Sequence, residues 1–317
     1  MSIQITRAGK YSLFVDSPVM NAAGVAGFAN NYRHLIDVRK LGAFVTNPVT
    51  IDPWSPATGT RVVPMDAGVL VHTGLPNPGL SKVIKEYDPI WHDMGLPIIL
   101  HIVGTTTDHI TTMVRRLDRV DSVAAIELGL DDDITWEEAE ALTLAATNTA
   151  EKPVLVRLPA FAVNEVADVV VDSGADALVV AAPPRGTARD PRSGKLVSGR
   201  VYGPLVKPMI LRLVGSLARR ITDVPIIGAG GIHSSQDARD YIEAGARAVQ
   251  VDSVTWMQPQ LLERIARDLG GNLVTRAMDA FPDEWHPDMG DTEFHEIFGV
   301  DEDETPKNKR KPSSYMD

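Results

Sequence analysis

Eight short apolar segments recur along the chain, and stretches with helical hydrophobic spacing separate them. The segments lie at residues 18–23, 43–50, 97–103, 124–130, 153–158, 177–182, 225–228 and 248–251. This alternation predicts a parallel sheet, because parallel neighbours need a crossover connection. Eight successive strand–helix units favour closure into a (β/α)8 TIM barrel over an open sheet.

The length of 317 residues is within the range of one such barrel, and we assign residues 1–278 to it. Residues 279–317 turn acidic and then basic, which predicts a charged, partly disordered C-terminal extension. Long segments at 51–80 and 183–204 follow the second and sixth strands, where barrel enzymes place substrate loops. The first helix is predicted over 31–40, and Thr135 with Glu138 resembles a capping box at the start of a later helix.

Charge and composition exclude several kinds of partner. The formal net charge of −11 argues against nucleic acid and anionic membranes, because both attract basic surfaces. No apolar run is long enough to span a bilayer and no secretion signal is present, so we expect a cytoplasmic protein. The absence of cysteine excludes thiolate catalysis and cysteine-held clusters. The carboxylates at 131–133 with His72 match no metal-binding spacing, and no metal site is predicted.

The last two strands end in residues that suit a phosphate site. The strand at 225–228 runs into Gly230 and Gly231, and the strand at 248–251 ends in small polar residues. Glycine lets the backbone approach a ligand, and helix starts just beyond add positive dipole ends. Barrel enzymes often bind phosphate after strands seven and eight. The alternative is that these glycines only form tight turns.

Several segments, taken in order, resemble the dihydroorotate dehydrogenases, which are barrels that hold FMN. They lie at 17–24, 42–46, 74–79, 206–208 and 226–232, and the resemblance extends from about residue 1 to 270. It implies an FMN-dependent oxidoreductase that passes hydride between a small-molecule substrate and flavin N5. A homodimer is expected from the same resemblance, while an electron-transfer partner stays open.

The resemblance also implies which residues contact FMN. The cofactor-binding set is Ala22, Ala23, Gly24, Thr46, Asn47, Arg157, Gly203, Gly230, Gly231, Asp252 and Ser253. In this set Arg157 takes the place of a family lysine near the flavin N1–O2 edge, where a cation stabilises the anionic reduced flavin. The alternative role of Arg157 is a structural ion pair.

The sequence departs from the family where dihydroorotate would bind. Asn47 stands in place of a lysine. Gly129 and Pro183 stand in place of asparagines. Orotate and dihydroorotate carry a carboxylate and a cyclic diamide, which need several amide side chains and a cation. The missing groups predict a substrate other than dihydroorotate.

Asp252 stands where the family has a glycine next to the phosphate. A carboxylate about 4 Å from a phosphate costs about 4 kcal/mol at an effective dielectric constant near 20. The cost disappears if Asp252 turns away, pairs with Arg247 or Arg276, or binds a ribityl hydroxyl. The aspartate therefore weakens the expectation of FMN without removing it.

Two residues are candidates for proton transfer. Asp132 occupies the position of the family's base, and its neighbours Asp131 and Asp133 would raise its pKa by repulsion. The alternative is that these aspartates are first-turn anions of the helix that begins near Thr135. His101 is the second candidate, with a satisfied core histidine as the alternative. The substrate-binding candidates are His72, Asn77 and Arg185.

Three functions remain open from the sequence. The first is an FMN-dependent oxidoreductase with a substrate other than dihydroorotate. The second is a flavin-binding or flavin-free homologue without catalysis that acts in an assembly. The third is a non-redox barrel enzyme that binds a phosphorylated substrate, with Asp132 as its base.

Overall fold

The computed structural model describes residues 2–9, 11–29 and 34–270. Eight parallel strands form one sheet. All eight predicted strands are confirmed, and no predicted end differs from the observed end by more than five residues. They are β1 (Val19–Asn21), β2 (Phe44–Val45), β3 (Ile98–Ile102), β4 (Val123–Gly129), β5 (Val154–Leu158), β6 (Ala177–Val180), β7 (Ile226–Ala229) and β8 (Ala248–Val251). The sheet runs from β2 through β3 to β8 and then to β1, as a (β/α)8 barrel requires.

A side chain closes the barrel between β1 and β2. The Nδ2 of Asn21 donates to the carbonyl of Val45 at 2.6 Å, and its Oδ1 accepts from the Val45 amide at 3.1 Å. The Gly42 amide adds a backbone bond to the Val19 carbonyl at 2.8 Å. An amide side chain carries the same donor and acceptor as a peptide unit. Asn21 therefore stands in for backbone pairing where these two strands meet.

The helices cover the outside of the barrel. They are α1 (Leu80–Asp93), α2 (Thr107–Leu117), α3 (Trp136–Thr147), α4 (Val163–Asp172), α5 (Lys207–Arg220), α6 (Ser235–Glu243), α7 (Val254–Met257) and α8 (Pro259–Gly270). The capping box of Thr135 and Glu138 at the start of α3 is confirmed. The helix predicted over 31–40 is wrong in its described part, which holds only a 3-10 turn at Val38–Lys40. The Asp37 carboxylate accepts from the Arg39 amide there and competes with a continuous helix.

Successive side chains on each strand point to opposite faces, which gives the barrel two apolar regions. The outer one packs strands against helices, with Leu100, Ile126 and Val156 among its residues. The inner one includes Ile99 and Leu155. An N-terminal hairpin of Ile3–Gln4 and Phe14–Val15 packs against the inner residues from the end opposite the loops.

The two long segments predicted as loops pair with each other. They form a four-stranded antiparallel sheet in the order Arg185–Arg189, Leu196–Tyr202, Gly68–Val71 and Val62–Met65. Non-local pairing of this kind has no local sequence signal, which explains why the sheet was missed. Because the segments leave β2 and β6 at their C-terminal ends, the sheet lies beside the barrel mouth.

Within the described residues, no helix is long and apolar enough to cross a membrane. The predicted domain boundary at residue 278 and the charged extension at 279–317 lie outside the described residues.

Candidate functional site

A layer of buried polar side chains lies inside the barrel, above the inner apolar layer. Its members are His101 of β3, Glu127 of β4, Arg157 of β5 and Gln250 of β8. Each lies two residues beyond an inner apolar residue of the same strand, namely Ile99, Ala125, Leu155 and Ala248. All four therefore point into the barrel on its C-terminal side. We call these four residues the polar layer.

Glu127 is the centre of the polar layer. Its Oε1 lies 2.8 Å from His101 Nδ1 and 3.2 Å from Arg157 Nη1, and its Oε2 accepts from Gln250 Nε2 at 2.6 Å. Burial acts to raise the pKa of Glu127, but the hydrogen bond from His101 and the charge of Arg157 outweigh it and lower the pKa to about 2. The carboxylate is thus ionised at neutral pH, and His101 Nδ1 carries the hydrogen because a carboxylate can only accept.

Arg157 is also held by groups other than Glu127. Its Nη1 donates to Gln250 Oε1 at 2.6 Å, and its Nη2 donates to the Ala181 carbonyl at 3.4 Å. The ion pair considered as an alternative role for Arg157 is therefore present. A flavin role is compatible with it, since guanidinium has five N–H donors.

Gly129 makes room for His101. A Cβ atom at Gly129 would lie 2.7 Å from His101 Nε2, a distance that forces the ring to move. The position where the family has an asparagine is thus filled by the imidazole of the neighbouring strand. His101 also donates its backbone N–H to Thr46 Oγ1 at 3.1 Å, which ties β3 to the end of β2.

Asp132 lies at the barrel mouth between two arginines of the four-stranded sheet. Arg200 Nη1 donates to its Oδ1 at 2.5 Å, and Arg185 Nε lies 3.0 Å from its Oδ2 in an ion pair without hydrogen-bond alignment. Arg200 also donates to the Pro183 carbonyl at 2.9 Å. The Asp132 carboxylate thus faces two cations, and α3 takes its cap from Thr135 instead.

Three other predicted residues serve the loops around the mouth. Asn47 Oδ1 accepts from the Gly27 amide at 3.1 Å. Asn77 Oδ1 accepts from the amides of Thr50 at 3.2 Å and Gly79 at 3.0 Å. His72 is exposed and directly follows Gly68–Val71, an inner strand of the four-stranded sheet. The structure does not bring these three side chains together with the polar layer.

An aromatic pair borders the mouth, and the sequence reasoning missed it. The rings of Tyr202 and Trp256 meet edge to face with centroids 5.0 Å apart. Burial and the charge of Asp252 raise the pKa of Tyr202 to about 12, so its hydroxyl is neutral. These residues extend from the loops after β6 and β8, and they add flat apolar surface next to the charged groups.

The predicted phosphate site at the ends of β7 and β8, formed by Gly230, Gly231 and Ser253, is called the phosphate cradle. The Asp252 carboxylate occupies it. Its Oδ1 accepts from the Ser253 amide at 2.5 Å, and its Oδ2 accepts from the Gly231 amide at 3.4 Å. Asp252 is only 3% exposed, and burial raises its pKa although these amides oppose the rise. The Asp252 side chain thus points into the cradle and does not turn away from it.

The glycines of the cradle are also needed for backbone packing. Gly231 has φ +66°, and a Cβ there would lie 2.6 Å from the Lys207 amide nitrogen and 2.9 Å from the Gly203 carbonyl. Gly203 has φ +127°. Tight packing therefore accounts for these glycines whether or not a phosphate binds.

The residues present fit one end of FMN and not the other. The Arg157 guanidinium suits the polar edge of a flavin ring, and the backbone after β1, where Ala22 is buried and Gly24 is exposed, is the predicted contact for its face. The cradle does not suit a phosphate in the arrangement described, because the Asp252 carboxylate already takes the amides of Gly231 and Ser253.

Comparison with known proteins agrees with the fold. Residues 11–273 match the sequence profile described as Dihydroorotate dehydrogenase. A Pelobacter propionicus protein named dihydroorotate dehydrogenase B (NAD(+)), catalytic subunit, is 32% identical over 273 residues, covering 80% of this chain and 88% of that protein. A Trichlorobacter lovleyi protein of the same name is 31% identical over 283 residues, covering 84% of this chain and 93% of that protein.

The structure of DHODH from Eimeria tenella in complex with ferulenol shares the fold, with a TM-score of 0.68 and 20% identity. The similarity covers 84% of this chain and 82% of that one. Dihydroorotate dehydrogenases bind FMN, so the cofactor expectation is confirmed for the family. By its sequence profile and its relatives, this chain belongs to the dihydroorotate dehydrogenase family.

Proposed function

We propose that this chain, like the FMN-dependent enzymes of its family, is a flavin-dependent oxidoreductase, and that its substrate is a small molecule other than dihydroorotate. The observation that carries the proposal is the polar layer, which holds the Arg157 cation in a fixed place at the barrel mouth. A flavin, when bound, supplies the hydride chemistry, and the protein supplies charge and position. The relatives named above are dihydroorotate dehydrogenases, and the proposal departs from them in substrate alone.

The altered substrate is supported by the partners of the departing residues. The Asn47 side chain is held by Gly27, and Gly129 leaves its space to His101. Among the described residues, the mouth also holds the Asp132 carboxylate between two arginines. Such a set presents charge to a ligand, whereas a cyclic diamide needs matched neutral donors and acceptors.

In this proposal Asp132 acts as the proton-transfer group, with Arg185 and Arg200 as its positioning residues. The carboxylate is 5% exposed and has a hydrogen-bonded partner only on Oδ1. Its Oδ2 is buried beside Arg185 Nε without an aligned donor, so proton transfer there requires the exposed Arg185 side chain to move aside. His101 is the second proton-transfer candidate, although its Nδ1 is engaged by Glu127.

A second candidate function is a homologue that no longer binds flavin. The Asp252 carboxylate in the phosphate cradle favours it specifically. The same carboxylate disfavours the third possibility, an enzyme for phosphorylated substrates.

One experiment separates these functions. The purified full-length protein is titrated with flavins, photoreduced without oxygen, and then mixed with a panel of oxidised and reduced small molecules that includes orotate and dihydroorotate. We expect a flavin complex that photoreduces and that dihydroorotate does not reduce. Reduction by dihydroorotate would refute the altered substrate, and failure of any flavin to bind would support the second candidate.

The assembly of the protein stays a prediction. We propose a cytoplasmic homodimer, in line with the family resemblance and the sequence features described above. The Pelobacter propionicus relative is named as a catalytic subunit, which supports a search for a partner that accepts electrons. Sedimentation of the purified chain alone measures its oligomeric state. Sedimentation after capture with soluble partners detects a subunit that accepts electrons.

A further inference from the structure

The Asp252 carboxylate makes contacts that a ligand phosphate would make at this place in a barrel. It accepts hydrogen bonds from the amides of Ser253 and Gly231, one at each of the last two strand tips. It also accepts from the Ser253 hydroxyl at 3.2 Å. The side chain is buried and belongs to the protein itself, so a carboxyl group of the protein already occupies the amides of the cradle.

Lys207, which packs against Gly231 of the cradle, is already paired with carboxylates. Lys207 Nζ lies 2.6 Å from Asp237 Oδ1 and is also paired with Asp240. Asp237 in turn accepts from the backbone N–H of His233 at 3.0 Å, at the start of α6. Two carboxylates, those of Asp237 and Asp240, therefore already pair with the Lys207 ammonium group.

The histidine beside the cradle does not supply the missing cation. His233 Nε2 lies 3.0 Å from Ser253 Oγ. Burial lowers the pKa of His233, although the charges of Asp252 and Asp237 oppose this, so the ring is neutral at neutral pH. A phosphate ester would thus meet the Asp252 carboxyl group, while Lys207 is paired with carboxylates and His233 is neutral.

We propose that Asp252 is a specificity-determining residue that makes the barrel prefer a flavin whose ribityl chain ends in a hydroxyl over one that ends in a phosphate. This inference rests on the proposed flavin site. A carboxylate accepts a strong hydrogen bond from an alcohol, whereas it repels a phosphate that competes for the same amides. The flavin of this chain is therefore riboflavin-like, in contrast with the FMN of its family.

The size of the preference follows from the charge. For an ionised Asp252 at about 4 Å and an effective dielectric constant near 20, the repulsion corresponds to about a thousandfold loss of FMN affinity. Rotation of Asp252 towards solvent would relieve part of it. We therefore expect riboflavin to bind at least about a hundredfold more tightly than FMN.

The test is a fluorescence-quenching titration of the full-length protein with riboflavin and with FMN at low ionic strength. The variants are Asp252→Gly, which restores the family residue, and Asp252→Asn, which keeps the shape and removes the charge. Asp223→Asn serves as the control, because it removes a charge from an exposed residue that pairs with Arg7 at the far end of the barrel. Circular dichroism and thermal unfolding check that each variant is folded.

We expect Asp252→Gly and Asp252→Asn to tighten FMN binding by about a hundredfold or more and to change riboflavin binding by less than about tenfold. The control is expected to leave both affinities unchanged. Equal affinity of the wild type for the two flavins would overturn the inference and leave the proposed function standing, as would FMN affinity that ignores both substitutions. If neither riboflavin nor FMN binds to any folded variant, the inference and the proposed function are both overturned.

Discussion

The ionised Glu127 in the barrel interior provides a test of how the polar layer is held together. Replacing Arg157 with methionine removes the cation that lies 3.2 Å from Glu127 Oε1 and keeps an unbranched side chain. A buried carboxylate that loses its partner destabilises a fold by about 3–5 kcal/mol. The pKa of Glu127 gives a similar scale, because a shift from 4.5 to about 2 corresponds to about 3 kcal/mol.

The loss should depend on pH in a defined direction. The pKa of Glu127 is lower in the folded protein than in the unfolded chain, so its pairing stabilises the fold fully above about 4.5 and is lost as the pH falls towards 2. Without Arg157 the buried carboxyl takes up a proton at higher pH. The stability difference between wild type and Arg157→Met is therefore greatest near neutral pH and shrinks below about pH 5.

Urea unfolding of the two proteins at neutral pH and at about pH 4 measures this difference. Arg220→Met is the matched control, because Arg220 pairs with Asp168 at 3.0 Å on the exposed surface and should contribute less than about 1 kcal/mol. The double variant Glu127→Gln with Arg157→Met should recover part of the loss, since it leaves no unpaired charge. A loss that is equal at both pH values, or a double variant that loses the sum of the two single losses, would refute the reasoning.

Two further predictions concern the mouth and the closure of the barrel. Asp132→Asn should leave flavin affinity unchanged and slow flavin reduction by the substrate found in the panel at least about tenfold, as measured by stopped-flow absorbance. Equal rates would show that Asp132 is only a structural partner of Arg200. Asn21→Leu leaves the Val45 amide and carbonyl without their partners, and it should cost about 2–4 kcal/mol in urea unfolding and speed hydrogen exchange at the Val45 amide; a loss below about half a kcal/mol would show that the β1–β2 seam closes without it.

The parts of the fold that the sequence predicted are those encoded by neighbouring residues. The eight strands appear as apolar runs, and the capping box at Thr135 lies within four residues of chain. The four-stranded sheet could not be predicted, because it pairs the segment ending at Val71 with the segment ending at Tyr202. The closing role of Asn21 depends likewise on a strand that follows 24 residues later.

The polar layer could have been predicted in full. Arg157 and His101 were identified, whereas Glu127 and Gln250 were missed although each is a polar residue among apolar neighbours on its strand. Both share the strand phase that points into the barrel, and a buried arginine requires a buried anion. The hydrogen bond from the Gly231 amide to Asp252 was harder to predict. It depends on the rotamer of one side chain and on a residue that follows the neighbouring strand.

The departures from the family differ from simple decay of an active site. A site that has lost its function would retain buried polar groups whose partners are gone, and such groups are costly. Here Asp132 has gained Arg185 and Arg200, and Asp252 has gained the amides of Gly231 and Ser253. Both carboxyl groups thus have partners, although Asp132 Oδ2 lacks an aligned hydrogen bond, and the arginines around Asp132 support the proposal of a mouth that binds a different ligand.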